Sequence, residues 1–349
     1  MSFLKRPGTA GVLYALLLAV FTLYVVLDTF VIPQPLPTPA QPESGTASTA
    51  GTTPTTGTTP TTGTAGTAVT GTGTVTKTPP ETPLPSGSAV SGEPMTYTDS
   101  SISIVLTTYR VEATSLESTT VYVADIRLTD VSLLKTAFAN DTFGANIRAR
   151  TSDTAKAHDA VLAINGDYYG ARVKDGGYVL RNGTVYQDVA LKTAADRTTG
   201  SIDDLIIRKD GSFAIINEAQ TPMSALLADG AQQVLAFGPA MLENGALRVS
   251  GNEKGLARAL NPRTAIGIYE PGHYVFVVAE GRQKPKNCGI SVYRLAQFMQ
   301  ELGVQTAYNL DGGGSSALWF NGQLINHPTT DGKTFAERGV SDIVYIGYR

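Results

Sequence analysis

Cysteine is nearly absent from this 349-residue chain, where Cys288 stands alone. One thiol closes no disulfide within the chain and builds no cysteine-based zinc site, and a lone cysteine reads first as a small core hydrophobe. Histidine is almost as scarce. His158, His273 and His327 are scattered, with no HExxH or comparable ligand spacing. The chain also lacks a GxSxG elbow for a serine nucleophile, the Gly-Lys-Ser/Thr ending of a P-loop and a dinucleotide fingerprint. Charge is sparse: 27 Lys and Arg against 30 Asp and Glu leave a formal net charge of -3. No concentrated basic run is present, which argues against nucleic acid as a partner.

Two further absences divide the chain. No charged residue occurs from Pro7 to Leu27, and Gly11 to Ile32 carries only Asp28 among apolar and aromatic residues. Roughly 20 apolar residues suffice to span a bilayer core. Lys5 and Arg6 precede the run, so the basic-residue rule puts residues 1–10 in the cytoplasm and everything beyond Ile32 outside. A cleavable signal peptide competes with this reading, but the run is long and ends in Val31-Ile32-Pro33 rather than a small-x-small site. The expectation is a single-pass signal-anchor helix over 11–32 in the cell membrane. From Pro33 to Pro94 there is no aromatic residue, and Glu43, Lys77, Glu81 and Glu93 are the only charges among Thr, Pro, Gly, Ala and Ser. Such a segment buries too little apolar surface to offset its chain entropy and is expected to be a disordered linker over 33–94.

Residues 95–349 read as one α+β domain, with a largely antiparallel sheet and helices packed on it. Period-two alternation marks strands in Ser101 to Val111 and Thr119 to Leu128. Turn pairs at Asn182-Gly183, Asp210-Gly211, Asn244-Gly245, Pro271-Gly272 and Asn321-Gly322 separate strand-like runs. Helices are expected near Val131 to Ala139, Ser152 to Ala160 and Ser291 to Leu302. In the last, Val292, Leu295, Ala296, Met299 and Leu302 share one face before a stop at Gly303.

Five short stretches combine chemistry-bearing residues. Asn309-Leu310-Asp311-Gly312-Gly313-Gly314-Ser315-Ser316 sets a carboxylate and two hydroxyls beside three glycines, where amides could converge on an anion or a ligand could approach the main chain; an ordinary glycine-rich turn is the plainer alternative. Asn165-Gly166-Asp167-Tyr168-Tyr169-Gly170 pairs polar groups with aromatics, as a sugar site does, or else is a turn with packed tyrosines. Arg263-Thr264 opens a central-looking strand, with a guanidinium fork suited to phosphate or to a structural ion pair. Glu280-Gly281-Arg282 ends another strand, and Glu337-Arg338 precedes a terminal strand containing Asp342.

Taken in order, NGDYYG, FGPAMLENG, NPRTAIGI, VAEGR, GISVYRLAQFMQELGVQTAYNLDGGGSSALW and ERGVSD resemble the phosphodiester glycosidase domain, over about Val161 to Arg349. Members of that family include the enzyme that removes N-acetylglucosamine to uncover mannose 6-phosphate, and bacterial proteins related to exopolysaccharide. The resemblance implies hydrolysis of a sugar C1–O–phosphate bond in a phosphorylated glycan. It implies functional roles for Asn165 and Gly166, for Arg263 and Thr264, and for Asp311 with Gly312, Gly313, Gly314, Ser315 and Ser316. At Glu280 it leads one to expect aspartate, a departure.

In chemical terms, Arg263 and the 312–316 amides and hydroxyls would hold phosphate, and Asp311 would serve as base or cation stabiliser. Asp167 and Glu280 are further catalytic candidates; Tyr168 and Asn309 complete the substrate-binding set. No cofactor is required, and a divalent cation such as Ca²⁺ or Mg²⁺ is admitted without being demanded. Two other functions compete: a non-catalytic module for wall polysaccharide, and a metal-dependent phosphodiesterase using Asp167, Asp311 and Asp342 as ligands.

Overall fold

Along the strand His273–Ala279 the side chains alternate between two apolar surfaces. Tyr274, Phe276 and Val278 enter one core and Val275, Val277 and Ala279 another, all fully buried. A strand buried on both faces needs cover on both sides. In this computed structural model, which describes residues 7–38, 84–171, 173–196, 200–252 and 255–349, the side chains of 7–11, 13, 171 and 196 excepted, the strand lies inside a nine-stranded sheet. Arg263–Glu270 flanks it on one side, followed by Thr306–Asn309, Ala240–Glu243 and Ala246–Leu247. Ser118–Leu128 flanks it on the other, followed by Ile102–Glu112, which also pairs with Ser88–Val90 and Met95–Thr98.

One face of this sheet is covered by the helix Val292–Glu301. The opposite face packs on two five-stranded sheets. The first runs Gln323–Leu324, Leu318–Phe320, Leu162–Asn165, Asp342–Ile346, Leu134–Phe138; the second runs Thr184–Val189, Gly177–Arg181, Ala231–Leu235, Asp203–Arg208, Phe213–Asn217. Every pairing among the described strands is antiparallel, as the period-two patterns and short turns predict. At Asn182-Gly183, Asn244-Gly245 and Asn321-Gly322 both residues have positive φ, the geometry of a two-residue hairpin. Ser291 caps the long helix by accepting from Arg294 N at 3.2 Å.

One element differs in kind from the sequence pattern. The helix expected over Val131 to Ala139 is a single 3-10 turn, Val131–Leu133, capped by Asp130, followed by the strand Leu134–Phe138. That strand pairs with Asp342–Ile346 in unbroken register, so an available sheet edge outweighs local helical preference. A short helix, Met223–Ala228, was not foreseen by the sequence pattern.

At the N-terminus a helix runs from Pro7 to Phe30, with apolar side chains such as Leu16, Leu17, Phe21 and Leu23 exposed. Among the described residues, no helix is long and apolar enough to cross a membrane. The linker expected over 33–94 is narrower than its composition suggests, because Gln34–Pro35 and Ser88–Val90 both pair with strands of the domain. Residues 39–83 of that expectation lie outside the described residues.

The two five-stranded sheets are joined by a buried ion cluster. Arg181 Nη2 lies 2.8 Å from Asp342 Oδ2 and 3.0 Å from Asp167 Oδ2, and all three side chains are at most 3% exposed. Burial and the neighbouring Asp167 push the Asp342 carboxyl up to about 7, against the opposing pull of Arg181. The folded value thus lies above the unfolded one of about 3.9, so stability tied to this proton is complete below that value and is lost as pH rises towards 7. Asp342→Asn should remove that loss, read as a flatter urea midpoint between about pH 4 and 7. Arg181→Ala, which strands two buried carboxylates, should cost about 3–5 kcal/mol in the same measurement.

Candidate active site

Three strand ends meet at one point. Asn165 closes Leu162–Asn165, Arg263 and Thr264 open Arg263–Glu270, and Asn309 closes Thr306–Asn309, with Ala265 paired to Asn309. The fully buried Asn165 side chain ties them together. Its Nδ2 donates to Asp311 O at 2.6 Å, and its Oδ1 accepts from Thr264 Oγ1 at 2.7 Å and Ala317 N at 3.3 Å. Asp311 N in turn donates to Gly166 O at 3.2 Å. Asn165, Gly166 and Thr264 thus position Asp311 from behind.

Asp311 lines a cavity of about 470 Å³ together with Asn261, Arg263, Arg282, Asn309 and Arg338. Burial raises its pKa above the ordinary carboxylate range, while Ser315 and Arg338 pull in the opposite direction. Arg338 Nη2 donates to Asp311 Oδ2 at 3.1 Å, and Arg338 Nε donates to Ser315 Oγ at 2.9 Å. The guanidinium of Arg338 also lies 6.0 Å from the ring of Tyr168. Arg282 donates through Nε to Asn261 Oδ1 at 3.3 Å and through Nη1 to Thr330 O at 2.7 Å. Tyr168 and Arg282 both have φ above 60°, a conformation that costs a non-glycine residue roughly 1–3 kcal/mol and clusters at functional sites.

The triple glycine works by close approach. A Cβ on Gly312 would lie 2.8 Å from Pro262 O, and one on Gly314 only 2.2 Å from Thr330 Oγ1. The expected anion nest does not form from most of the amides: Gly313 N donates to Pro262 O at 2.9 Å, Ser315 N to Gly312 O at 3.2 Å and Ser316 N to Gly313 O at 3.3 Å. Backbone carbonyls consume them, and positive charge comes from side chains instead.

Arg263 lines the cavity, but its fork is not free to take phosphate bidentately. Nε donates to Ile290 O at 3.2 Å, and Nη2 to Leu256 O at 2.5 Å and Ala259 O at 2.8 Å, so the side chain braces the cavity wall. Burial, then the nearby Arg282, push its pKa down to about 10, which keeps it charged at neutral pH. Two catalytic candidates lie elsewhere. Asp167, fully buried, belongs to the Arg181 cluster and accepts from Tyr169 N and Ala236 N. Glu280, 2% exposed, accepts from His327 N at 2.9 Å and Gln283 Nε2 at 3.1 Å and does not line the cavity. The proposed metal ligands do not converge, because Asp167 and Asp342 share Arg181 whereas Asp311 pairs with Arg338. Among the described residues no group of three or more His, Cys, Asp or Glu could hold a metal ion.

Asn309 donates from Nδ2 to Gly238 O at 2.8 Å, yet its Oδ1, like Ser316 Oγ, is buried without a hydrogen-bond partner. The motifs EGR and ERG are visible in the sequence, but nothing local in them places Arg282 or Arg338 beside Asp311; that adjacency arises from folding.

The sequence profile of the phosphodiester glycosidase family matches residues 158–347, more than half of the chain and every residue of this site. This chain belongs to the phosphodiester glycosidase family. It is 28% identical over 207 residues to the SPbeta prophage-derived uncharacterized protein YomE of Bacillus subtilis, covering 59% of this chain and 31% of that protein. It is 26% identical over 218 residues to the N-acetylglucosamine-1-phosphodiester alpha-N-acetylglucosaminidase of Homo sapiens, covering 58% of this chain and 40% of that one. The chain therefore spans well under half the length of either relative. Its fold is shared with the zebrafish N-acetylglucosamine-1-phosphodiester alpha-N-acetylglucosaminidase catalytic domain, solved auto-inhibited by its pro-peptide, at TM-score 0.57 and 18% identity over 75% of this chain and 89% of that one.

Within this family site, Asn165→Ala should leave the Thr264 hydroxyl and the Ala317 amide unpaired in the interior. The expected cost is about 1–3 kcal/mol for each stranded group, read from chemical denaturation.

Proposed function

We propose that this phosphodiester glycosidase-family chain hydrolyses the bond between a sugar anomeric carbon and a phosphate oxygen, in a glycan outside the cell membrane. The observation that carries this reading is a buried carboxylate, Asp311, facing a cavity that two further arginines, Arg282 and Arg338, enter. A phosphate leaving group departs already stabilised and needs little protonation, so guanidinium charge is the useful contribution. The sugar left behind passes through an oxocarbenium-like state, which a carboxylate at C1 stabilises directly or by activating water. Asp311 would take either role, with Asn165 and Gly166 holding its backbone. The unpartnered Asn309 Oδ1 would accept from a sugar hydroxyl or acetamido group.

The substrate proposed first is an N-acetylglucosamine-1-phosphodiester, by analogy with the named human relative. The membrane part rests on the sequence alone, on the uncharged run from Pro7 to Leu27 with Lys5 and Arg6 before it, since among the described residues no helix is long and apolar enough to cross a membrane.

The test is release of reducing sugar from such a diester by the detergent-extracted full chain. Asp311→Asn should abolish release while the fold is retained. No release from several sugar-1-phosphodiesters, together with retention on wall polysaccharide, would move the reading to a binding module. Because Asp311 is raised, the acid limb of the rate profile should fall above pH 4, the ordinary carboxylate range. Arg338→Ala should move that limb to still higher pH, since the guanidinium is what restrains the shift. A limb unmoved by Arg338→Ala would separate Asp311 from the titration.

A further inference from the structure

The N-terminal helix does not leave the domain as a free tether. Immediately after it, Gln34–Pro35 pairs antiparallel with Gly144–Ala145, Gln34 opposite Ala145 and Pro35 opposite Gly144. Leu36 N donates to Phe143 O at 2.9 Å. Asn146 Nδ2 reaches back to the end of the helix, donating to Thr29 O at 3.0 Å and Ile32 O at 3.2 Å. Carbonyls of a helix's last turn have no partner within the helix, so a side chain of the globular domain caps it. Gln34 Nε2 donates to Asp28 O at 2.6 Å and closes the corner.

Gly144 is what admits this strand. A Cβ there would lie 2.1 Å from Gln34 O and 2.9 Å from Pro35 Cα, so any larger residue and the docked segment exclude one another. The docking strip leads towards the active site. Phe143 stacks on Tyr169 with ring centroids 5.3 Å apart, and the preceding Tyr168 lies beneath Arg338.

We propose that this clasp, rather than the Thr/Pro-rich segment 39–83, joins the domain to its N-terminal helix. The described residues on both sides, up to 38 and from Leu84 on, belong to one compact unit. The pairing is short, and the covalent connection supplies the high effective concentration that keeps it formed. On the anchored reading above, on which this consequence alone rests, the clasp confines the active site to phosphodiesters close to the membrane surface, instead of letting it range over the length of a stalk.

The experiment places cysteines at Gln34 and Ala145 in the full chain on a Cys288→Ser background, with a protease site inserted between residues 39 and 83. Directly opposed antiparallel residues lie about 5.5 Å apart at Cα, within disulfide reach. Mild oxidation should therefore link most chains, and after proteolysis the two fragments should separate only with reductant. Gly144→Val should lower the yield several-fold, and Asn146→Ala less so, with sugar release retained in both. A yield at 34 and 145 no higher than for cysteines at Gln34 and Glu301, on the helix covering the opposite face of the large sheet, would overturn the clasp. Fractionation reports the anchor separately: a chain recovered without membranes that still cross-links removes the anchor and leaves the clasp standing.

Discussion

The guanidinium of Arg181, held between the carboxylates of Asp342 and Asp167, is the constraint on which the site depends. It donates to Val234 O within its own sheet and to Asp342 of the other, so it fixes one sheet against the other. Directly beside it runs the turn 165–168. Asp342 Oδ1 accepts from Asp167 N at 3.2 Å and would lie 2.2 Å from a Cβ on Gly166, so only glycine lets the turn approach the buried carboxylate this closely. Gly166 O then receives the amide of Asp311. The geometry of a buried ion cluster thus reaches the candidate catalytic carboxylate through two hydrogen bonds. Such clusters contribute little net stability once desolvation is counted, and their value here lies in specifying one arrangement.

The cavity itself is electrostatically lopsided. One carboxylate, Asp311, stands among Arg263, Arg282 and Arg338, an excess of positive charge suited to a phosphate-bearing ligand. The three arginines differ in what they can do. Arg263 donates from Nε and Nη2 to carbonyls and braces the wall; Arg338, 39% exposed on its side chain, holds Asp311 and meets solvent; Arg282 is presented from a strained backbone. The strain at Tyr168 and Arg282 persists because the packed turn and its hydrogen bonds over-determine both positions.

Much of the fold was legible in residue order. Alternation identified the long strands, Asn-Gly pairs identified hairpins, and the apolar face of Val292–Glu301 with its serine cap marked the main helix, because each is a local property of the chain. The segment 131–139 misled for the same reason: its pattern suits a helix, and only the free edge of Asp342–Ile346 makes it a strand. Composition does not reveal that Gly144 accepts a strand from Gln34–Pro35, which lies within the linker expected over 33–94.

For the site, the sequence by itself determined the family and the identity of the central carboxylate, since the helix followed by NLDGGGSS carries both in one continuous stretch. Tertiary structure decided everything that depends on which groups meet. It assigned Asp167 to the Arg181 cluster and Glu280 to a hydrogen-bonded hub with His327 and Gln283, and it tied the Gly313, Ser315 and Ser316 amides to backbone carbonyls. It also brought Arg282 and Arg338 to Asp311 from distant points in the chain. Residue types announce what chemistry a group can perform, but a side chain's partners, burial and charge environment are set by contacts between segments that no local pattern encodes.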